Sequence, residues 1–238
     1  MTSSSATSPP GDERGASGPA RVQFAGELEQ LRLQVEVMAL RVGDALHAMQ
    51  EVLATGDSAI ATRAVEADDA IDAMHVSLTA RCYDLLRREN PVAGDFRFTV
   101  SVLRVLEELE RIGDLALRVV KLAPEQPELA RAPSVLDTLV RMAALAEDDY
   151  RAALDAWSAR DEALARGLPK GEAEMDAQYA TLTRCLVDLE GADAVPLAIT
   201  AVLAGRAIER IADHTVIVVE RLRYLLTGDE RHLASEVR

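Results

Sequence analysis

The sequence predicts an all-α protein with six long helices in two matched sets of three. Three observations lead there. Hydrophobic residues make up 49% of the 238 positions and aromatics only 3%, a profile that favours helix because strands draw on aromatic and β-branched side chains. Apolar residues recur at spacings of four and three along most of the chain, as in packed helix bundles. Finally, Leu109-Glu110-Arg111-Ile112-Gly113-Asp114 returns as Ile208-Glu209-Arg210-Ile211-Ala212-Asp213, the mark of an internal repeat.

Residues 1–21 hold Ser, Thr, Pro and Gly without an apolar run. They are expected to form a disordered tail and not a signal peptide, which needs about 7–15 apolar residues. The first helix follows, with a stripe at Phe24, Leu28, Leu31, Val35, Met38, Val42, Ala45, Met49 and Val52. Thr55-Gly56-Asp57 ends it, Gly being a usual helix stop and Asp57 or Ser58 a suitable next N-cap. The second stripe runs from Ile60 through Ile71, Leu78 and Cys82 to Leu85. Asn90-Pro91 closes that helix, because a residue before Pro is pushed out of the α region. The third helix is expected from Val92 to Leu122.

Three prolines, Pro124, Pro127 and Pro133, then mark a boundary. This divides the chain into a first bundle over 22–123, a linker over 124–133, a second bundle over 134–228 and a tail over 229–238. In the second set, helices are expected from Ser134 to Ser158, up to Leu189, and from Val195 to Leu226. Gly167-Leu168-Pro169 either interrupts the middle one or sets its start, since Pro is tolerated in a first turn.

The net charge of −14 repels phosphate backbones and acidic lipid headgroups, so nucleic acid and direct membrane insertion are not expected. No stretch approaches the roughly 18 apolar residues of a membrane span. Cys82 and Cys185 stand apart without a CxxC neighbour and read as small hydrophobes in a reducing compartment. These features favour a cytoplasmic protein. No phosphate-cradling Gly-rich loop, nucleophile triad or zinc pattern occurs, and no enzyme activity is expected.

Carboxylates stand out. Read by its bulky residues, the third helix has a seam at Phe96, Val100, Leu103, Glu107, Glu110, Asp114 and Leu117. The last helix has Val195, Ile199, Val202, Arg206, Glu209, Asp213 and Val216. Glu110 with Asp114, and Glu209 with Asp213, are i,i+4 pairs on one helix face. The preceding helices carry Asp68 with Asp72 and Glu172 with Asp176. Like charges at this spacing cost roughly 0.2–0.5 kcal/mol even when exposed, so on a packing seam they call for a cation. Arg111, Arg206 and Arg210 are one source and a bound metal is the other; a solvated helix face is the plain alternative. Inward Glu and Asp on paired helices hold iron or manganese in some bundles. A ferritin-like oxidase would want Glu-x-x-His, whereas this chain offers Asp44 with His47 and Asp72 with His75.

Beyond the spacing, the motifs resemble the PhoU family over roughly residues 22–228. Pro91-Val92-Ala93-Gly94-Asp95-Phe96-Arg97 is similar to its QPVAxDLR turn, and Glu110-Arg111-Ile112-Gly113-Asp114 is identical to its ERIGD motif. Glu209-Arg210-Ile211-Ala212-Asp213-His214 resembles the second copy, and Asp68-Asp69-Ala70-Ile71-Asp72 fits its D-x-x-ID segment. The resemblance implies two pseudo-symmetric three-helix bundles, commonly dimeric. It also implies iron or zinc clusters on Glu110, Asp114, Glu209 and Asp213, with Asp68, Asp72, Glu172 and Asp176 as accompanying acids. Its implied partners are the nucleotide-binding subunit of the phosphate ABC transporter and a membrane sensor histidine kinase, and its implied role is negative regulation of the phosphate-starvation response. His75 stands where the family often has Glu.

Overall fold

The computed structural model describes residues 19–88, 93–168 and 170–237, with side chains for 21–88, 93–168 and 173–234. The helices are α1 (Pro19–Thr55), α2 (Ser58–Arg88), α3 (Ala93–Val120), α4 (Gln126–Leu129), α5 (Pro133–Ala159), α6 (Glu162–Gly167), α7 (Lys170–Val187) and α8 (Ala194–Thr227). No strand occurs among the described residues. The long helices α1, α2 and α3 pack on one another, as do α5, α7 and α8, which gives the two expected three-helix bundles.

The four-and-three stripe of α1 is its core face: Leu31, Val35, Met38, Val42, Met49 and Val52 are all buried. Gly56 stops the helix in the left-handed region (φ 69°) and donates its N–H to the Val52 carbonyl at 2.8 Å. Asp57 caps α2 by accepting from the amides of Ala59 (2.7 Å) and Ile60 (3.3 Å). The Asn90-Pro91 stop lies outside the described residues.

Two stretches are more ordered than their composition suggests. The expected linker folds into a 3-10 turn (Ala123–Glu125) followed by α4. Its prolines occupy first helical turns, where the missing N–H costs nothing, and Leu129, 1% exposed, pins the corner to the core. The expected tail after residue 228 is instead a 3-10 helix, Glu230–Val237, packed on α8. Asp229 accepts from the Arg231 amide at 3.0 Å, and His232 Nδ1 lies 2.6 Å from Glu220 Oε2. The first helix also begins earlier than expected, at Pro19; residues 1–18 lie outside the described residues.

Gly167 closes the short α6, which Asp161 caps through the amides of Ala163 and Leu164. The chain restarts at Lys170, so the Gly-Leu-Pro stretch separates two helices; Pro169 itself lies outside the described residues.

The two bundles share one continuous apolar core. Helix α1 packs on α5 and α3 on α8. The buried Tyr150 of α5 donates its hydroxyl to the Ala39 carbonyl of α1 at 2.7 Å.

Candidate functional site

Helices α3 and α8 bury a different face from the one their bulky residues suggest. In α3 the buried face runs through Thr99, Val102, Leu106, Leu109, Gly113, Ala116 and Val120, while Phe96 is 51% exposed. In α8 it runs through Ala201, Ala204, Ile208, Ile211, Thr215 and Leu222, while Val195, Ile199 and Val202 are exposed. In α8 the packing face carries Ala201, Ala204, Gly205 and Ala207, small residues that a pattern drawn through bulky side chains passes over, whereas α3 has a second apolar stripe through Val102, Leu106 and Leu109, and that one is buried. The carboxylates predicted for the seam therefore sit on its flank: Glu110, Asp114 and Glu209 are half-buried and Asp213 is exposed.

In the first half the flank positions gather acids from two helices. Asp68 on α2 and Glu110 and Asp114 on α3 are half-buried, and Asp72 is exposed. Burial raises the Asp68 pKa above its ordinary value, and the charges of Asp72 and Asp114 push it further. Burial likewise raises Glu110, reinforced by Asp114 and Asp72 and opposed by His75 and Arg111. Both shifts come first from burial and then from like charge nearby.

The second half does not repeat this. Glu209 is engaged by Arg206, whose guanidinium also lies 5.8 Å from the centre of the Tyr179 ring. Asp176 and Asp213 are exposed. The Glu172 side chain lies outside the described residues. The crowded acid here is Asp149 on α5, raised to about 6 by burial, with Glu174 of α7 and Asp148 adding to it.

Among the described residues, no group of three or more His, Cys, Asp or Glu side chains is arranged to hold a metal ion. The first half has suitable donor chemistry for a hard or borderline cation, but its side chains do not converge on one point. In the second half the described carboxylates do not converge either, and Glu209 already has a cation in Arg206.

Sequence reasoning missed a polar tie across the two halves. Glu108 of α3 and His214 of α8 meet at 2.6 Å (Oε2 to Nδ1), with side chains 5% and 12% exposed. Arg104 Nη2 approaches Glu108 Oε1 at 3.8 Å. Arg221 of α8 is buried, and its pKa is held below the ordinary value by burial and by the charge of Arg104. A second tie joins α1 to α5: the buried Glu147 lies 2.6 Å from Arg151 and 3.4 Å from His47. The available signal was a Glu on each apolar helix face, which becomes visible once the small residues are counted as core.

Comparison with known proteins bears on both halves. The PhoU domain matches residues 35–123 and again 139–222. The phosphate-specific transport system accessory protein PhoU of Serratia marcescens is 30% identical over 219 residues, covering 90% of this chain and 89% of that protein. The PhoU homolog of Pseudomonas aeruginosa is 30% identical over 214 residues, covering 89% and 88%. The crystal structure of PhoU from Pseudomonas aeruginosa superposes with a TM-score of 0.82 at 30% identity, covering 87% of this chain and all of that one (100%). The fold is also that of the phosphate transport system regulatory protein PhoU from Streptococcus pneumoniae, with a TM-score of 0.75 at 23% identity. With both halves matched and the paired three-helix architecture shared, the chain belongs to the PhoU family.

Proposed function

We propose that this protein is a negative regulator of phosphate uptake and of the phosphate-starvation response. It would act as a non-enzymatic adaptor between the phosphate ABC transporter and a sensor histidine kinase on the cytoplasmic side. The observation that carries this reading is whole-chain similarity to proteins named as phosphate-specific transport system accessory proteins. No helix among the described residues is long and apolar enough to cross a membrane, which is consistent with action through protein partners. An adaptor needs exposed contact surface, and α8 offers Val195, Ile199 and Leu203 at 69%, 56% and 61% exposure. Apolar patches of this kind mark interaction sites, and homodimerisation is part of the same proposal. A partner would shift the protein between pre-existing states. The test is a deletion strain grown in rich phosphate. Constitutive expression of phosphate-scavenging genes, reversed by the intact gene, is the expected result; normal repression in a strain without a second family member overturns the proposal.

We further propose that the first half draws a cation, iron or zinc, to Asp68, Asp72, Glu110 and Asp114. The raised Asp68 and Glu110 support it, because crowded carboxylates gain from an ion between them. Elemental analysis of the gently purified protein should find metal that Glu110→Ala/Asp114→Ala loses and Glu209→Ala/Asp213→Ala retains. Equal stoichiometry in all three would remove this assignment.

A further inference from the structure

At one end of the molecule, the start of α3, the last turn of α8, the end of α5 and the first third of α1 enclose a cleft of about 490 Å³. Three guanidinium groups line it, those of Arg32, Arg97 and Arg160, together with the carboxylates of Glu29 and Asp95. A local excess of positive charge is unexpected in a chain carrying −14 overall, where the general field repels anions.

The three arginines are not equivalent. Arg32 is satisfied internally: it forks onto Glu29 at 2.6 and 3.0 Å and reaches Glu36, outside the cleft, at 2.5 Å. Arg97 has a buried Nε with no hydrogen-bond partner among the described residues. Buried donors of this kind are normally paired. Its guanidinium is packed so closely under the α8 terminus that a Cβ on Gly228 would lie 2.9 Å from Nη1. Arg160 is the C-cap of α5 in the left-handed region, φ 51° and ψ 44°, and is the one non-Gly residue with positive φ among the described residues. Gly occupies such caps without steric cost, so here the chain accepts backbone strain and keeps a long, exposed, charged side chain over the cleft. Glu29 is held below its ordinary pKa chiefly by its hydrogen bond to Arg32, with Arg160 adding its charge.

We propose that this cleft binds a small oxyanion, a phosphate group either free or carried on a small molecule, with Arg97 and Arg160 as its principal ligands. Guanidinium forks suit phosphate and hold it with charge-assisted hydrogen bonds. The amide end of α3 adds partial positive charge, which Asp95 opposes. The volume exceeds that of the bare ion, and Phe98 and Leu225 offer an apolar wall to an attached organic group. A purely structural role, a cation closing the carboxyl end of α8, accounts for Arg97 but not for the strained Arg160.

The experiment is equilibrium dialysis of the full chain at low ionic strength with radiolabelled inorganic phosphate and, separately, radiolabelled AMP. Saturable binding of phosphate alone assigns the free ion, and stronger binding of AMP assigns a carried phosphate; either supports the site. Arg160→Gly should weaken binding about tenfold while raising the melting temperature, because Gly relieves the left-handed strain. Arg97→Lys, which keeps the charge and loses the fork, should weaken binding similarly. No saturable binding of either probe, or unchanged affinity in both variants, overturns the proposal. Neither result depends on the regulatory reading, which the deletion strain tests alone.

Discussion

The two halves share a helix order and a recurring motif, yet their flanks hold charge in different ways. When Glu110 is placed opposite Glu209, Glu107 falls opposite Arg206. In the second half, Arg206 sits one turn before the repeated Glu and pairs with it. In the first half, Glu107 points its charge at Arg104 instead, and Glu110 is left with a pKa raised by burial and then by the like charges of Asp114 and Asp72. One position thus decides whether a repeated acid is neutralised from within or kept available for something else. Packing and charge are set separately in such a repeat, because core residues answer to volume whereas flank residues answer to their nearest partner.

The comparison can be broken most severely at the tie between the halves. Glu108→Ala leaves His214 without its buried partner and should cost about 3 kcal/mol, read by urea unfolding. A loss near zero would mean that the tie contributes nothing. Next comes the crowded acid of the second half. The folded chain holds the Asp149 proton up to about pH 6, against an ordinary 3.8. Its folded pKa lies above its unfolded one, so the folded state is favoured at the acid end and that advantage is lost as pH rises from about 4 to 6. Asp149→Asn should therefore leave stability unchanged near pH 4 and raise it by about 1 kcal/mol above pH 7, after discounting for the half-exposed setting. A thermal melt at each pH checks the crossover.

Glycine sharpens the contrast further. A Cβ at Gly113 would meet Ile71 at 3.6 Å, an ordinary contact, whereas one at Gly205 would come within 2.4 Å of Leu182 Cδ2. Gly113→Ala, which places there the residue that stands at the matching position 212, should stabilise by roughly 0.5–1 kcal/mol through helix propensity. Gly205→Ala should gain less than that or lose, because the buried Leu182 must move. The smallest effect is expected from Glu107→Arg, which copies the second half into the first. It should bring the Glu110 titration, followed by NMR, back toward its ordinary range while changing stability by about 0.3 kcal/mol. An unmoved Glu110 would show that position 107 does not govern the flank.

Much of this architecture was legible in the chain. Helices α1 and α2 bury large side chains such as Leu31, Met38, Leu78 and Leu85, and a four-and-three pattern drawn through such residues finds the core directly. It fails in α8, where Ala201, Ala204 and Gly205 do much of the packing and carry almost no hydrophobic signal, and in α3, where two apolar stripes compete and the one through Val102, Leu106 and Leu109 is buried. A pattern through the bulky residues puts Glu110 and Glu209 at the centre and passes over Glu108, lodged between Glu107 and Leu109. The Arg160 conformation and the cleft beside it had no trace in the sequence, since both arise where distant segments meet.

The continuous core has a consequence for how such a molecule can be divided. Cutting the chain at the Leu129 corner would not release two independent beads. It would strip the partner surface from α1 and α5 and leave residues such as Ala39 and Tyr150 facing water. Each fragment would then seek the other, or a second copy of itself, to cover that oily wall, so the duplicated motif describes how the chain is written, while the unit that melts is the whole.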